Sequence, residues 1–274
     1  MINYVHCHIG KIPPYLLDSF ESIYEVDPDS RLILVTDQDI EIEGVEILNS
    51  NIIASDQTKE VMKMTLFSDD PNQLWRTSIF RVFLVRDAMK HLNLDFCYHF
   101  DSDVLMFQSS KTFSHLIEDF DGLYITYHNE DEVVFGFSRF GSLSKIDEIC
   151  DILQVIVFDP AKQSEYSSGM ANEMRLLCGI MKKHPNLIKT LNILPNETGI
   201  VFDPSSYGQY FGGTHQGHPP GFAHHTHIIG REIQSENITL FMEDKKPYVK
   251  CGGDKTYPIV NLHIHSKNTR QFIS

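Results

Sequence analysis

The chain has little that would mark it for a membrane, for secretion or for nucleic acid. No stretch of its 274 residues approaches the ~18 apolar residues in a row that a membrane-spanning helix needs. Its start, MINYVHCHIGKIPPYLL, has neither the basic n-region nor the apolar run of a signal peptide. A cytosolic protein is expected, at most peripheral on a membrane. Cysteine is sparse: the five thiols at 7, 97, 150, 178 and 251 are odd in number and include no CxxC pair. They read as reduced side chains, mostly core packing, rather than a disulfide framework. Positive charge is also short, with 23 Lys+Arg against 37 Asp+Glu and a net charge of −14. Neutralising a phosphate backbone needs a basic face, so nucleic acid is excluded as a partner. No internal repeat, low-complexity segment or linker interrupts the chain.

What is present is a globular composition, 42% apolar and 11% aromatic. At this length a single domain over residues 1–274 is expected. Residues 2–8 read as a strand, and Pro13-Pro14 opens a helix to about Tyr24, because proline suits a first helical turn. Arg31–Thr36 (RLILVT) is a short apolar run of the kind buried in a parallel sheet, and Val45–Leu48 is a second. From Pro71 to about Leu92 an apolar stripe of Leu74, Ile79, Val82, Phe83, Val85 and Met89 predicts a long helix. A strand at Phe96–Phe100 follows directly. Strands near 122–127 and 133–138 and helices near 142–156 and 170–184 are expected next. Then come a Gly/Pro/His-rich loop over 208–230, a hairpin of 238–242 and 248–251 around an EDKK turn, and a last strand over 258–265. Alternating strand and helix in the first hundred residues predicts an α/β fold with a mostly parallel sheet. Ligands bind beyond the carboxyl ends of such strands, where Gly10, Asp37, Asp101 and Asp103 would gather.

Two of those residues stand out in Tyr98–Phe107, YHFDSDVLMF, where two carboxylates sit at i and i+2 between apolar runs. Buried ionised carboxylates are usually paired or metal-bound. If the chain stays extended past Phe100, Asp101 and Asp103 share a strand face and repel each other until a cation arrives. Two carboxylates among oxygen donors suit Mg²⁺ or Mn²⁺, cations that also neutralise a departing diphosphate. An ordinary solvated Asp-Ser-Asp turn is the alternative. Its context, after a helix carrying Arg76, Arg81 and Arg86, favours a site.

FDSDVLMF after the helical W-R-x-S-x-F-R-x-F resembles the D-x-D signature of GT-A glycosyltransferases. VHCHIGKIPPYLLDSFESI and LILVTDQD resemble the nucleotide-binding half of that fold, and NLHIHSKNTRQF resembles the closing segment of bacterial and viral members. The resemblance implies a Rossmann-like, mostly parallel central sheet flanked by helices. Residues 1–107 would then be the nucleotide-binding half, and 108–274 a mixed acceptor half ending in a metal and diphosphate segment. It implies Mn²⁺ or Mg²⁺ held by Asp103, by Asp101 directly or through water, and by His263. It further implies a nucleoside-diphosphate sugar donor, UDP-linked above all, a glycan or lipid-linked glycan acceptor, and a role in polysaccharide biosynthesis.

The residues themselves add detail. His263 and His265 would share a strand face, with Lys267 after them to meet a diphosphate; the alternative is a half-exposed strand of alternating histidines. His6 and His8 share a face of the first strand, where contact with a base or simple packing both fit. Gly10 and Lys11 follow it, and Asp37 ends the second strand, as a hydrogen-bond acceptor or a helix cap. Arg81 would neutralise Asp101 or touch the sugar-phosphate, and Ser102 lies between the carboxylates. Tyr207, Gln209, Gly212 and Gly213 suit the acceptor side. His215–His227 holds five histidines and reads as a mobile acceptor loop rather than a zinc site. Glu173, early in a helix, is the candidate base, although acidic residues are ordinary at helix N-termini. Two other classes compete: a metal-dependent hydrolase, whose usual barrel wants repeated βα units to the C-terminus, and a non-catalytic carbohydrate-binding protein.

Overall fold

The computed structural model of the chain describes residues 1–69, 73–215, 217–219, 224–253 and 255–273. Its strands are β1 (Asn3–His8), β2 (Arg31–Thr36), β3 (Val45–Asn49), β4 (Cys97–Phe100), β5 (Val104–Met106), β6 (Leu123–Asn129), β7 (Glu132–Phe140), β8 (Ile188–Thr190), β9 (Ile238–Glu243), β10 (Lys246–Cys251), β11 (Thr256–Pro258) and β12 (Asn261–His263). Seven of them form the central sheet in the order β3-β2-β1-β4-β7-β6-β8. β1 runs parallel to both β2 and β4, so His8, Thr36 and Phe100 end at one edge. β7 is antiparallel to β4 and β6. This is the expected α/β architecture, with a mostly parallel first half and a mixed second half.

Strand side chains alternate between two cores, as the period of two requires. Tyr4, Leu32, Leu34, Tyr98 and Phe100 pack with Leu16, Phe20 and Ile23 of the Pro14–Val26 helix. On the other face, Val5, Ile33, Val35 and Cys97 meet the helices Leu74–Leu92, Leu143–Phe158 and Glu173–Lys183. With both faces covered, β2 carries the unbroken apolar run Leu32–Val35. A third core under the C-terminal half gathers Leu105, Val201, Val249, Ile259 and Leu262.

Several expectations change. The described part of the long helix begins at Leu74; Pro71 lies outside the described residues. Leu74 itself is 54% exposed and leaves the stripe that Ile79, Val82, Phe83, Val85 and Met89 form. The helix closes on Asn93 in the left-handed region, the usual cap geometry. The final strand over 258–265 is two strands: β11 pairs with β10, and β12 crosses to β5. β5 and β8 are too short, at three residues each, to show a period. In the hairpin, Asp244 and Lys245 both take positive φ (48° and 61°), the two-residue turn whose twist suits antiparallel strands. All five cysteines are free, and four of them are buried. Among the described residues no helix is long and apolar enough to cross a membrane. The open sheet with antiparallel strands is not the barrel that the hydrolase reading wants.

Phe137 is fully buried and touches the rings of Tyr98, Phe100, Phe113 and Phe202, tying β7 to β4 beneath the site. Phe137→Ala should lose about 3–5 kcal/mol of unfolding free energy, the range for an aromatic cavity in a close-packed core. Urea denaturation of the variant beside wild type measures it; a loss under about 1 kcal/mol would mean a core that collapses freely around the gap.

Candidate active site

The turn after β4 and the last strand of the chain meet because β5 and β12 pair antiparallel, with Val104 opposite His263. The Ile264 N–H donates to the Asp103 carbonyl at 2.8 Å and extends that pairing by one residue. Glycine permits the close approach. A Cβ at Gly208 would stand 2.1 Å from the His263 carbonyl oxygen, and one at Gly136 would stand 2.8 Å from His263 Nδ1. From below, the buried carboxylate of Asp203 accepts the backbone N–H groups of Ser206 (2.6 Å), Tyr207 (2.7 Å), Gly208 (3.1 Å) and His263 (2.9 Å). Those four bonds fix β12 to the 203–208 segment. Burial nonetheless pushes the Asp203 pKa upward.

Asp101 and Asp103 do not share a strand face. The chain turns at once after Phe100, with the Val104 N–H donating to the Asp101 carbonyl at 3.1 Å. The expected mutual repulsion is therefore replaced by two separate ion pairs. Asp101 pairs with Arg81, whose guanidinium also lies 5.6 Å over the Phe135 ring. Asp103 pairs with Lys267 and lies 3.0 Å from His263 Nε2. Burial opposes charge on Asp103, but His263 and Lys267 outweigh it and hold the carboxyl well below the usual carboxylate range.

His265 follows the end of β12, in a turn rather than on the expected strand. Its ring still stacks on His263, at 4.6 Å and 16°. Burial first, then the neighbouring His263, lowers its pKa to about 3, so its imidazole is neutral. Ligand atoms of Asp103, His263 and His265 lie within 4.8 Å of one another, close enough to share one cation. His263 Nδ1 is buried with no hydrogen-bond partner among the described residues. A carboxylate and two imidazoles on one small volume fit a divalent cation.

These groups open on a cavity of about 480 Å³ beyond the carboxyl ends of β1 and β4. His8, Arg81, Asp101, Ser102, Asp103, Glu173, Gln209, His263, His265 and Lys267 all line it. His8 Nε2 donates to the Lys11 carbonyl (3.1 Å), which leaves Nδ1 to accept from the Ser102 hydroxyl (3.0 Å). Glu173 begins the Glu173–Lys183 helix after Asn172, whose side chain caps it. It is 3% exposed, and its Oε1 finds no partner among the described residues. Burial raises its pKa to about 7, against the opposing pull of Arg81.

Six expected residues do not line the cavity. The Gly10 N–H, at φ +97°, donates to Asp37 at 2.8 Å, so Asp37 shapes the 8–11 turn and Lys11 offers its carbonyl to His8. Tyr207 is fully buried and donates its hydroxyl to the Ile193 carbonyl (2.7 Å), which makes it a core residue. Gly212 turns the chain at φ +93°, and the Gly213 carbonyl accepts the Ser266 N–H at 3.0 Å. The glycine pair thus supports the turn that presents Lys267. His6 packs edge-on against Phe20 and flat on Phe100. Within the five-histidine segment, His215 lies 4.6 Å from His265, whereas His227 caps the Ile228–Gln234 helix through the Gly230 N–H. Residues 216 and 220–223 of that segment lie outside the described residues. The sequence reading missed Tyr15, Trp75, His128, Met174 and Ser205 in the cavity wall. Trp75 was visible in the W-R-x-S-x-F-R-x-F motif but carried no role there.

No protein-family model matches the sequence, and no curated protein is detectably similar to it. Solved structures with a similar course include mouse xyloside xylosyltransferase 1 in its apo form, at 10% identity over 70% of this chain and 85% of that one, TM-score 0.45. The galactosyltransferase LgtC with donor and acceptor sugar analogues is similar at 11% identity over 70% and 73% of the two chains, TM-score 0.44. An active-site mutant of LgtC is similar at 12% identity over 81% of each chain, TM-score 0.49. At these identities the likeness concerns the path of the chain, and what the protein binds is read from its own side chains.

Proposed function

We propose that the protein is a metal-assisted glycosyltransferase that moves a sugar from a nucleoside-diphosphate donor, a UDP-sugar, to a hydroxyl of a glycan or lipid-linked glycan. The observation that carries the reading is the convergence of Asp103, His263 and Lys267 with Arg81 and Glu173 on one cavity at the strand ends. The pieces match the demands of the reaction. A divalent cation, Mn²⁺ or Mg²⁺, would take up negative charge on the departing diphosphate as the glycosidic bond breaks. Lys267, on a half-exposed side chain, would supply a second positive charge to the same group. The neutral His8 ring and Ser102 would line the path of the donor. Glu173 also lines the cavity, and a carboxyl with its pKa near 7 is suited to take a proton from an acceptor hydroxyl near neutral pH. Asp37, Gly10 and Lys11 would hold the donor's nucleoside side through their backbone turn, and Gln209 the acceptor side.

The direct test is a nucleotide-sugar panel assayed for released nucleoside diphosphate, with Mn²⁺, with Mg²⁺ and with a chelator. Cation-dependent release from one donor is expected; no release from any donor with either cation sinks the proposal.

Asp103→Asn should cut transfer by 10²-fold or more, the scale of lost electrostatic stabilisation at a transition state. Because Asp103 balances Lys267 and His263 in the free protein, the variant should also lose about 1–2 kcal/mol of stability above pH 4, where a carboxylate of depressed pKa contributes. A variant turning over at near wild-type rate removes Asp103 from the reaction.

Glu173 gives a prediction of opposite sign. Its folded pKa of about 7 exceeds the ordinary 4.5, so the folded state holds a proton that the unfolded chain releases between those values. Wild-type stability should therefore fall by about 3 kcal/mol as pH rises through that window, at ~1.4 kcal/mol per pKa unit. Glu173→Gln should flatten that slope and lose transfer activity. Denaturant midpoints from pH 4 to pH 8 measure it, and parallel curves for both proteins would mean an ordinarily ionised Glu173.

A further inference from the structure

Two side chains that line the cavity carry hydrogen-bond acceptors with no donor opposite them among the described residues. Gln209 is 6% exposed, and its amide N–H donates to the Ser205 carbonyl at 3.2 Å. A carbonyl oxygen can only accept, so that contact fixes which end of the amide is nitrogen and turns Oε1 away from it. Oε1 is buried without a partner. His128 is set in the same manner. Its hydrogen bonds, to the Pro204 carbonyl at 3.1 Å and the Ser206 hydroxyl at 3.4 Å, are both made at Nδ1. Nδ1 therefore carries the proton, burial lowers the pKa of the ring, and Nε2 keeps a lone pair. The two anchors are consecutive carbonyls of one turn. Ser205, whose backbone joins them, is held at φ +64°, a left-handed conformation that a side chain larger than glycine keeps only where its surroundings over-determine it.

Chemistry narrows what these two groups can meet. Lone pairs repel the oxygens of a diphosphate, which carry no hydrogen, and an acceptor left buried without a donor is costly. A pair of O–H groups satisfies both. The sheet separates the donor's end of the cavity from theirs. β6 is antiparallel to β7 as β7 is to β4, so β6 runs parallel to β4 and His128, near its carboxyl end, reaches the same edge. It stands two strand spacings from β4, about 10 Å across the sheet, and on the side away from β1. We propose that His128 Nε2 and Gln209 Oε1 are specificity-determining groups that accept hydrogen bonds from two hydroxyls of the acceptor sugar, neither of them the hydroxyl that reacts. The inference rests on the reading that the cavity transfers a sugar. Such a pair selects by what an analogue lacks: a sugar without either hydroxyl leaves a buried acceptor unpaired, a stronger rejection than a change of size in an apolar pocket gives.

The test uses the full chain with UDP and Mg²⁺. The probes are methyl glycosides of glucose, galactose, mannose and xylose with their monodeoxy analogues, and saturation-transfer NMR reads the affinities. At least one parent glycoside should bind, and removal of either of two ring hydroxyls should weaken it about tenfold or more, as expected when a buried acceptor loses its donor. Gln209→Leu should become indifferent to one of those hydroxyls, and His128→Phe to the other. The Ser205 carbonyl keeps the His265 N–H in the first variant, and the Pro204 carbonyl keeps the Ser206 hydroxyl in the second. A merely structural role would weaken parent and analogues alike. Wild type that binds none of the glycosides, or binds parents and all deoxy analogues equally, overturns the proposal whether or not the variants fold. So does an affinity advantage of UDP-glucose or UDP-galactose over UDP that both variants abolish while glycoside binding stays intact, because the pair then reads the donor sugar. Nucleoside-diphosphate release without any such hydroxyl dependence leaves the transfer reading standing and removes only this pair. Hydroxyl-dependent glycoside binding with no release from any donor removes the transfer reading and leaves a sugar-binding pair.

Discussion

Everything at the site depends on three residue pairs, Val104–His263, Leu105–Leu262 and Met106–Asn261, which join β5 to β12. The D-S-D turn directly precedes β5, and the H-S-K turn directly follows β12. One short antiparallel ladder therefore brings together two turns that are more than 150 residues apart. Closing so long a loop has an entropic cost, and three backbone pairs alone would not offset it. The third core, with Leu105 and Leu262 buried beside Val201 and Ile259, supplies the apolar burial that does. Asp203 then locks the ladder from the side by accepting the His263 N–H. The same few residues hold the fold and position the side chains of the cavity, so damage to that core would move those side chains as well as loosen the fold.

The long helix gives the second half of the explanation. Leu74–Leu92 buries its apolar stripe under the parallel half of the sheet, yet it carries Arg81 and Arg86 at buried or nearly buried positions. Each is matched: Arg86 to Asp87 at 2.7 Å and Asp147 at 3.1 Å, Arg81 to Asp101. Arg86 lies far down the helix and staples it to the Ser55–Thr58 turn, a structural use. Arg81 sits one and a half turns nearer the strand ends, where the same type of side chain reaches the cavity. The helical repeat sets that difference in role, because five residues shift the position by about 7.5 Å along the axis.

The sequence was most readable where structure is local and periodic. β2 and β3 were recognisable as short apolar runs, and the long helix by its stripe. The D-x-D turn and His263 stood out as chemistry-bearing residues between apolar neighbours. What could not be read was set by contacts between distant segments. β5 and β12 are three residues each, too short for a pattern, so the sequence leaves open whether the chain turns or stays extended at Asp101. Tyr207 looked like a sugar platform because exposed and buried tyrosines are identical in a sequence; only the Ile193 carbonyl waiting for its hydroxyl separates them. Glu173 was legible as a helix-start acid, but its burial, which raises its pKa, comes from the cavity wall that other segments build. Asp203 gave no signal at all, since its partners are backbone N–H groups and not side chains.

In a chain of net charge −14, the cavity is close to neutral. Asp101 is balanced by Arg81 and Asp103 by Lys267, while Glu173 holds its proton over much of the range below pH 7 and His265 is uncharged. An anionic diphosphate entering alone would find both cationic side chains already engaged and a protein of the same sign around it. It gains little until a partner is freed. Under the proposed function, a divalent cation held by Asp103 would take the place of Lys267 and leave that ammonium for the diphosphate oxygens. It would add two charges and free a third. On that proposal donor and cation binding would be coupled through Asp103, each favouring the other, and equally in both directions. The carboxylate would then serve as the exchange point between a side-chain cation and a metal, and that exchange would let an acidic protein bind an acidic donor.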